Sequence, residues 1–291
     1  MLDAHCHMQF EKFETDADEV IRQAFFKGLT HLVNTGTSID SSQKAISFAE
    51  KYDNTYAIVG IHPHHADKSD ALRFSTSPAS LKTDEKYEGL PPENWLAQLE
   101  ELAKHEKVIG IGEIGMDFWN YRTNGVVPVE LQEDAFRKQI ELSIKLSLPL
   151  QIHTRLAWDE TLKILSDYKK DFQTIPGMFH CFSGSIKFTK KVLELGFLVG
   201  FDGNITYGGI PPGEETALVD LVRYVPVDRI LTETDSPFLS PIPLRGQRNT
   251  PSNISYILEF IAKEKGINYN ILEAQVEKNF ASLFTKTSSH A

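Results

Sequence analysis

The sequence predicts an α/β protein: a (β/α)8 barrel of the TIM type, with eight parallel strands inside and helices outside. Three observations predict it. Short Val/Ile-rich apolar runs alternate with amphipathic stretches eight times along 291 residues, and such barrels typically take roughly 250 residues. The competing open, doubly wound sheet normally carries a Gly-rich turn after its first strand, and none follows Leu2–His7. Seven of the ten histidines (His5, His7, His62, His64, His65, His153 and His180) fall at or just beyond the C-terminal end of a predicted strand. A parallel barrel builds its active site at that end.

The elements follow from periodicity, strands being short apolar runs and helices carrying one apolar face every three to four residues. Strand Leu2–His7 precedes helix Asp16–Lys27, and strand His31–Thr35 precedes a helix near Ser41–Tyr52. Strand Tyr56–Ile61 is followed, after a long insertion, by a helix near Asn94–His105. Four further units pair Val108–Glu113 with Val129–Leu146, Leu150–His153 with Trp158–Tyr168, Met178–His180 with Ile186–Leu195, and Phe197–Phe201 with Glu214–Tyr224. The last strand, Arg229–Glu233, leads into helices Ser252–Lys265 and Ile271–Phe284. Residues 1–291 are expected to form one domain. The polar, Ser/Pro-rich Asp67–Asn94 segment reads as an inserted surface loop or lid, and Ile210–Glu215, after Gly208-Gly209, as a flexible loop.

Composition removes several function classes. With 18 Phe, 9 Tyr and 3 Trp, the chain has too much apolar area to remain disordered. No apolar run approaches the roughly 20 residues of a membrane span. Thirty basic against forty acidic residues leave a net charge of −10, which excludes a broad basic face for nucleic acid. Phosphate substrates stay open, because metal ions and a few local arginines can supply a positive field. Two cysteines, Cys6 and Cys181, exclude a disulfide scaffold. Met1–His5 has neither the basic nor the apolar segment of a secretory leader. A cytoplasmic location is expected, and no feature sets an oligomeric state.

The chemistry collects at the strand ends. His5 and His7 lie two apart on a strand and share a face, so both imidazoles can point into the barrel mouth and hold a metal. Alone, such a pair could be two polar residues at a strand end; ligands at matching ends of other strands favour a metal. Glu113, between Gly112 and Gly115, closes the fourth strand, where a carboxylate can approach and bridge two ions. His153 and His180 end the fifth and sixth strands and argue for a second ion. Asp235, in Glu233-Thr234-Asp235-Ser236-Pro237, is the carboxylate nearest the mouth, suited to ligation or to proton acceptance. Glu233 suits a supporting role behind the ligands, while Cys6 and Cys181 read as packing. Arg245 and Arg248 lie on the loop after the last strand, a common phosphate-binding place in barrels. Arg155 adds a further cation beside His153.

Taken together, these motifs resemble the TatD family of metal-dependent deoxyribonucleases. The matching segments are Asp3-Ala4-His5-Cys6-His7, Gly60-Ile61-His62-Pro63-His64, Gly112-Glu113-Ile114-Gly115-Met116-Asp117 and Ile152-His153-Thr154-Arg155. Phe179-His180-Cys181-Phe182-Ser183-Gly184, Glu233-Thr234-Asp235-Ser236-Pro237 and Arg245-Gly246-Gln247-Arg248-Asn249 follow in order. The resemblance implies a metal-dependent hydrolase barrel that cleaves phosphodiester bonds in DNA, often from the 3′ end. It implies two divalent ions (Zn, Mn or Mg) held by His5, His7, Glu113, His153, His180 and Asp235, with Glu113 bridging. Two such ions lie about 3.5–4 Å apart, activate water and stabilise charge on the phosphoryl group. Asp235, Glu113 and His64 are the catalytic candidates; His62, Arg155, Arg245 and Arg248 are the substrate-binding candidates. The expected substrate is the end of a single DNA strand. In two places the chain departs from the family pattern: Leu156 stands where an Asp is usual, and the Asp67–Asn94 segment is longer. Two rival readings are an amidohydrolase-type enzyme acting on a cyclic amide, ester or lactone, and a non-enzymatic module that binds metal or nucleic acid. The first commonly bridges its metals with a carboxylated Lys, whereas this chain offers Glu113.

Overall fold

The computed structural model describes residues 1–66, 93–120, 126–172 and 176–285. Eight parallel strands run in sequence order as one sheet: β1 (Leu2–Cys6), β2 (His31–Thr35), β3 (Thr55–Val59), β4 (Val108–Asp117), β5 (Leu150–Arg155), β6 (Gly177–Phe179), β7 (Leu198–Phe201) and β8 (Ile230–Thr232). The ring closes just past β8, where Asp235 N–H donates to the His5 carbonyl at 3.0 Å and His7 N–H to the Ser236 carbonyl at 2.8 Å. The result is the expected (β/α)8 barrel. Residues 67–92, nearly all of the expected insertion, lie outside the described residues.

The helices are α1 (Ala17–Phe26), α2 (Ile39–Lys51), α3 (Trp95–Ala103), α4 (Val129–Leu146), α5 (Trp158–Asp167), α6 (Ile186–Glu194), α7 (Leu218–Tyr224), α8 (Ile254–Lys265) and α9 (Tyr269–Leu283). Each buries one stripe against the strands, as its periodicity requires. In α8 the stripe is Ile254, Ile257, Leu258 and Ile261. Ser38 and Ser185 cap α2 and α6, accepting from the N–H of Ser41 and Phe188, which satisfies donors the first helical turn leaves open. Between β6, β7 and α6, the rings of Phe179, Phe188 and Phe197 meet edge to face at 5.2–5.7 Å. No helix among the described residues is long and apolar enough to cross a membrane.

Two elements differ from the periodicity reading. The fourth strand continues past Glu113 to Asp117. The register with β5 shifts between Ile111 and Ile114 and then resumes, pairing Gly115 with His153 and Asp117 with Arg155. Glycine makes this possible: at Gly115, with φ of +148°, a Cβ would sit 1.9 Å from the His153 carbonyl oxygen. Read locally, those glycines end the strand; against β5 they keep it in the sheet. The seventh helix begins at Leu218 rather than Glu214, because Glu214 N–H turns back to the Pro211 carbonyl at 3.0 Å and belongs to the preceding loop.

Candidate metal centre

Strand alternation sends Asp3, His5 and His7 to the barrel interior and leaves Ala4 and Cys6 against the outer layer. Cys6 is fully buried, with Sγ 3.3 Å from the Val33 carbonyl, so it is packing rather than a ligand. Gln151 and His153 alternate inward in the same way from β5. Asp235 has a φ of +51°, and Leu156, Cys181 and Leu239 are other non-glycine residues with positive φ that line the mouth. Backbone held in such sparsely populated regions gathers where function requires it.

The polar groups form two clusters joined by one carboxylate. In the first, His5 Nε2 and His7 Nε2 are 2.9 Å apart, and each is 3.5 Å from Asp235 Oδ1 and 3.7 Å from Glu113 Oε2. In the second, Glu113 Oε1 lies 2.8 Å from both His153 Nδ1 and His180 Nε2, which are 3.3 Å from each other. The two oxygens of Glu113 therefore face different pairs of imidazoles. Donor atoms that share one small divalent ion at about 2.0–2.2 Å lie about 2.8–4 Å apart, so both clusters have suitable spacing.

Donor chemistry supplies a stronger test. His5 Nδ1 lies 2.8 Å from Gln151 Oε1, and His7 Nδ1 lies 2.8 Å from the Thr35 carbonyl. Gln151 Nε2 donates to the Ala4 carbonyl at 2.9 Å, which fixes Oε1 as the acceptor. Both rings must then carry their proton on Nδ1, so two Nε2 lone pairs face each other. That arrangement is repulsive without a cation between them, and a divalent metal fits it. Support of this kind for metal-binding imidazoles fixes both tautomer and orientation.

The electrostatics agree. Burial pushes His5 down to about 4, and His180 and His7 add to it. Burial also opposes ionisation of Glu113, but His180 and His62, with hydrogen bonds from His153 and His180, outweigh it and hold the carboxyl well below its ordinary range. Asp235 is held down likewise, burial being overcome by His5 and His7. For His153, burial is outweighed by Asp117 and Glu113, which hold it up at about 10. The pocket thus combines ionised carboxylates with a demand for positive charge.

The structure brings most of the sequence candidates together. His62 Nε2 is 3.4 Å from Glu113 Oε1, and His64 Nε2 is 3.1 Å from Asp117 Oδ2. Both histidines line the mouth, with Arg155 and Arg245. Arg248 is not brought there. Its guanidinium pairs with both carboxylate oxygens of Asp16 at 2.9 and 2.6 Å, donates to the Lys12 carbonyl at 2.5 Å and lies over the Phe13 ring. Glu233 is fully buried and accepts from Cys181 N–H.

Three participants were missed by sequence reasoning. Gln151 orients His5, the Thr35 carbonyl orients His7, and Asp117 accepts from His153 Nε2 at 2.9 Å. Gln151 had a readable signal, as a polar residue two before His153 in an otherwise apolar strand. A backbone carbonyl leaves none.

A parallel barrel whose strand ends converge imidazoles and carboxylates in this manner defines a metal-dependent hydrolase. The model of TatD-related DNases matches residues 2–285, and the chain belongs to that family. It is 32% identical over 285 residues to an uncharacterized metal-dependent hydrolase, YabD, of Bacillus subtilis, covering 98% of each chain. It is also 32% identical over 296 residues to a protein named 3'-5' ssDNA/RNA exonuclease TatD of Cronobacter sakazakii, covering all of both. Among solved structures, the TatD homologue YJJV of Escherichia coli superposes with a TM-score of 0.80 at 24% identity over 98% of each chain. A lactonase-derived organophosphate hydrolase matches at 0.62 and 15% identity and shares the fold.

Proposed function

We propose that the protein is a two-metal phosphodiesterase that trims single-stranded DNA from its 3′ end. The split carboxylate of Glu113, one oxygen toward His5 and His7 and the other toward His153 and His180, carries this reading. The exonuclease name of the Cronobacter relative supports the substrate class. His5, His7, Asp235 and Glu113 Oε2 would hold one ion, and His153, His180 and Glu113 Oε1 the other. Ions bound there would supply Lewis-acid stabilisation of the phosphoryl charge and make water a competent nucleophile at neutral pH. Imidazole-rich ligation suits Zn or Mn better than Mg.

The chain's own groups supply the rest. Asp235, kept ionised, accepts the proton of the attacking water. His64, held against Asp117, faces the cavity and can protonate the leaving oxygen. His62, Arg155 and Arg245 line the same cavity and bind the substrate. A reducing, cytoplasmic setting belongs to this reading and is supported by the unpaired Cys6 and Cys181.

The deciding experiment is a screen of Zn, Mn and Mg against labelled single-stranded DNA, RNA and a panel of cyclic amides and lactones, with nucleic-acid products resolved by length on a gel. A ladder shortening from the 3′ end supports the proposal. Intact DNA alongside hydrolysis of a cyclic ester or amide overturns it.

A further inference from the structure

The walls of the mouth contain more than phosphate chemistry needs. Above the clustered imidazoles, the cavity of about 790 Å³ is lined by Phe10, Trp119, Leu156, Tyr207, Ile210 and Phe238. Pockets of about 300–1,000 Å³ are the size class that takes one compact organic ligand. A phosphodiester alone has no flat apolar face to offer these side chains.

Two of the aromatic residues carry arginines. Arg155 Cζ lies over the Trp119 ring at 4.2 Å from its centroid, and Arg245 Cζ lies over Tyr207 at 4.1 Å. Trp119 and Arg155 come from the ends of β4 and β5; Tyr207 and Arg245 follow β7 and β8. The two stacks therefore stand three strands apart around the ring of eight, with the metal ligands below them. The Tyr207 ring is anchored, its Oη donating to the Ser240 carbonyl at 2.7 Å. Trp119 is held through its backbone, whose N–H donates to Asp117 Oδ1 at 2.8 Å. Asp117 also accepts from His153, so one carboxylate ties the backbone at Trp119 to the clustered imidazoles.

Each stack places a π face beside a guanidinium, whose N–H donors suit phosphate. A flat heterocycle beside a phosphate is the chemistry of a nucleotide. Stacking on aromatic rings and guanidinium planes is how single strands are held without sequence reading. We propose that Trp119 and Tyr207 are two base-stacking platforms flanking the metal centre, which take the terminal nucleotides of a single strand whatever their bases. This deepens the nuclease reading and rests on it.

The test uses the metal-loaded protein and an oligonucleotide whose 3′ linkages are phosphorothioates, to slow cleavage. A second oligonucleotide carries abasic residues in place of its last two nucleotides. Binding is read by quenching of tryptophan fluorescence and by anisotropy of a 5′ label. The wild type should bind the intact end about tenfold or more tightly than the abasic end, the scale of one stacking contact. Trp119→Leu and Tyr207→Leu should each weaken binding of the intact end by a similar factor and leave the abasic end unchanged. Trp119→Phe, which keeps a ring, should restore most of the difference. Equal wild-type affinity for the two oligonucleotides overturns the stacking proposal and leaves the nuclease reading intact, as do variants that weaken both ends alike. Failure to bind either oligonucleotide removes both.

Discussion

His5 and His7 direct their Nε2 atoms at each other across 2.9 Å, and the other nitrogen of each ring is already committed as a donor to Gln151 Oε1 or to the Thr35 carbonyl. The pair is therefore set for a cation before one arrives. Gln151 is the accessible part of this arrangement. Gln151→Met keeps the length and removes the acceptor, freeing the His5 tautomer. Loss of such a supporting partner typically costs about 10–100-fold in metal affinity. Competition with a chelating dye should show that loss with an unchanged circular dichroism spectrum; wild-type affinity would refute the tautomer argument.

Glu113 turns one carboxylate oxygen toward His5 and His7 and the other toward His153 and His180. Glu113→Gln keeps the volume and removes the charge. The folded variant should retain at most one metal per chain by elemental analysis, with turnover lower by orders of magnitude. Full metal content and full activity would sink the bridging assignment.

The cavity argues for entry of a chain end. Arg155 and Arg245 put positive charge at the cavity of about 790 Å³, and a net charge of −10 does not favour a long basic track for a duplex. Linear single-stranded DNA should be degraded and circular single-stranded DNA of the same composition spared, under the same metal and time. Equal loss of the circle would indicate internal cutting.

Arg245 and Arg248 should separate cleanly. Arg245→Ala should raise KM for DNA, because this guanidinium lines the mouth. Arg248→Ala should leave KM unchanged and lower thermal stability, because this guanidinium clamps Asp16 and the Lys12 carbonyl. Both members of the ion pair are about a third exposed, so the loss should be about 1 kcal/mol, a few degrees in Tm. A raised KM with unchanged Tm in Arg248→Ala would reverse this assignment.

The same pair sets a pH dependence. The hydrogen bond from Arg248 holds the Asp16 carboxyl below its ordinary value of 3.8. A carboxyl depressed in the folded state contributes stability above its unfolded value, and that contribution is lost as pH falls through the folded one. Asp16→Asn should therefore be less stable than the wild type near pH 6, with the gap closing below about pH 4. Thermal melts at both pH values would check it; a gap that persists in acid would assign the effect to packing.

The residues by themselves determined the barrel and most of the histidines and carboxylates that meet at its mouth, and the reason is periodicity. His5 and His7 share a face because a strand repeats every two residues, and Glu113, His153, His180 and Asp235 stand where buried strands end. Facing within a strand is a local property that needs no partner. The tertiary structure decided what depends on distant partners. The glycines around Glu113 look like a turn until β5 pairs with them and draws β4 on to Asp117. Arg245 and Arg248 lie three residues apart on one loop, where no repeat fixes direction. One guanidinium stacks on Tyr207 at the mouth, while the other finds Asp16, 232 residues earlier in the chain. Which of two neighbouring arginines reaches the site was settled by where the chain had already placed an acceptor.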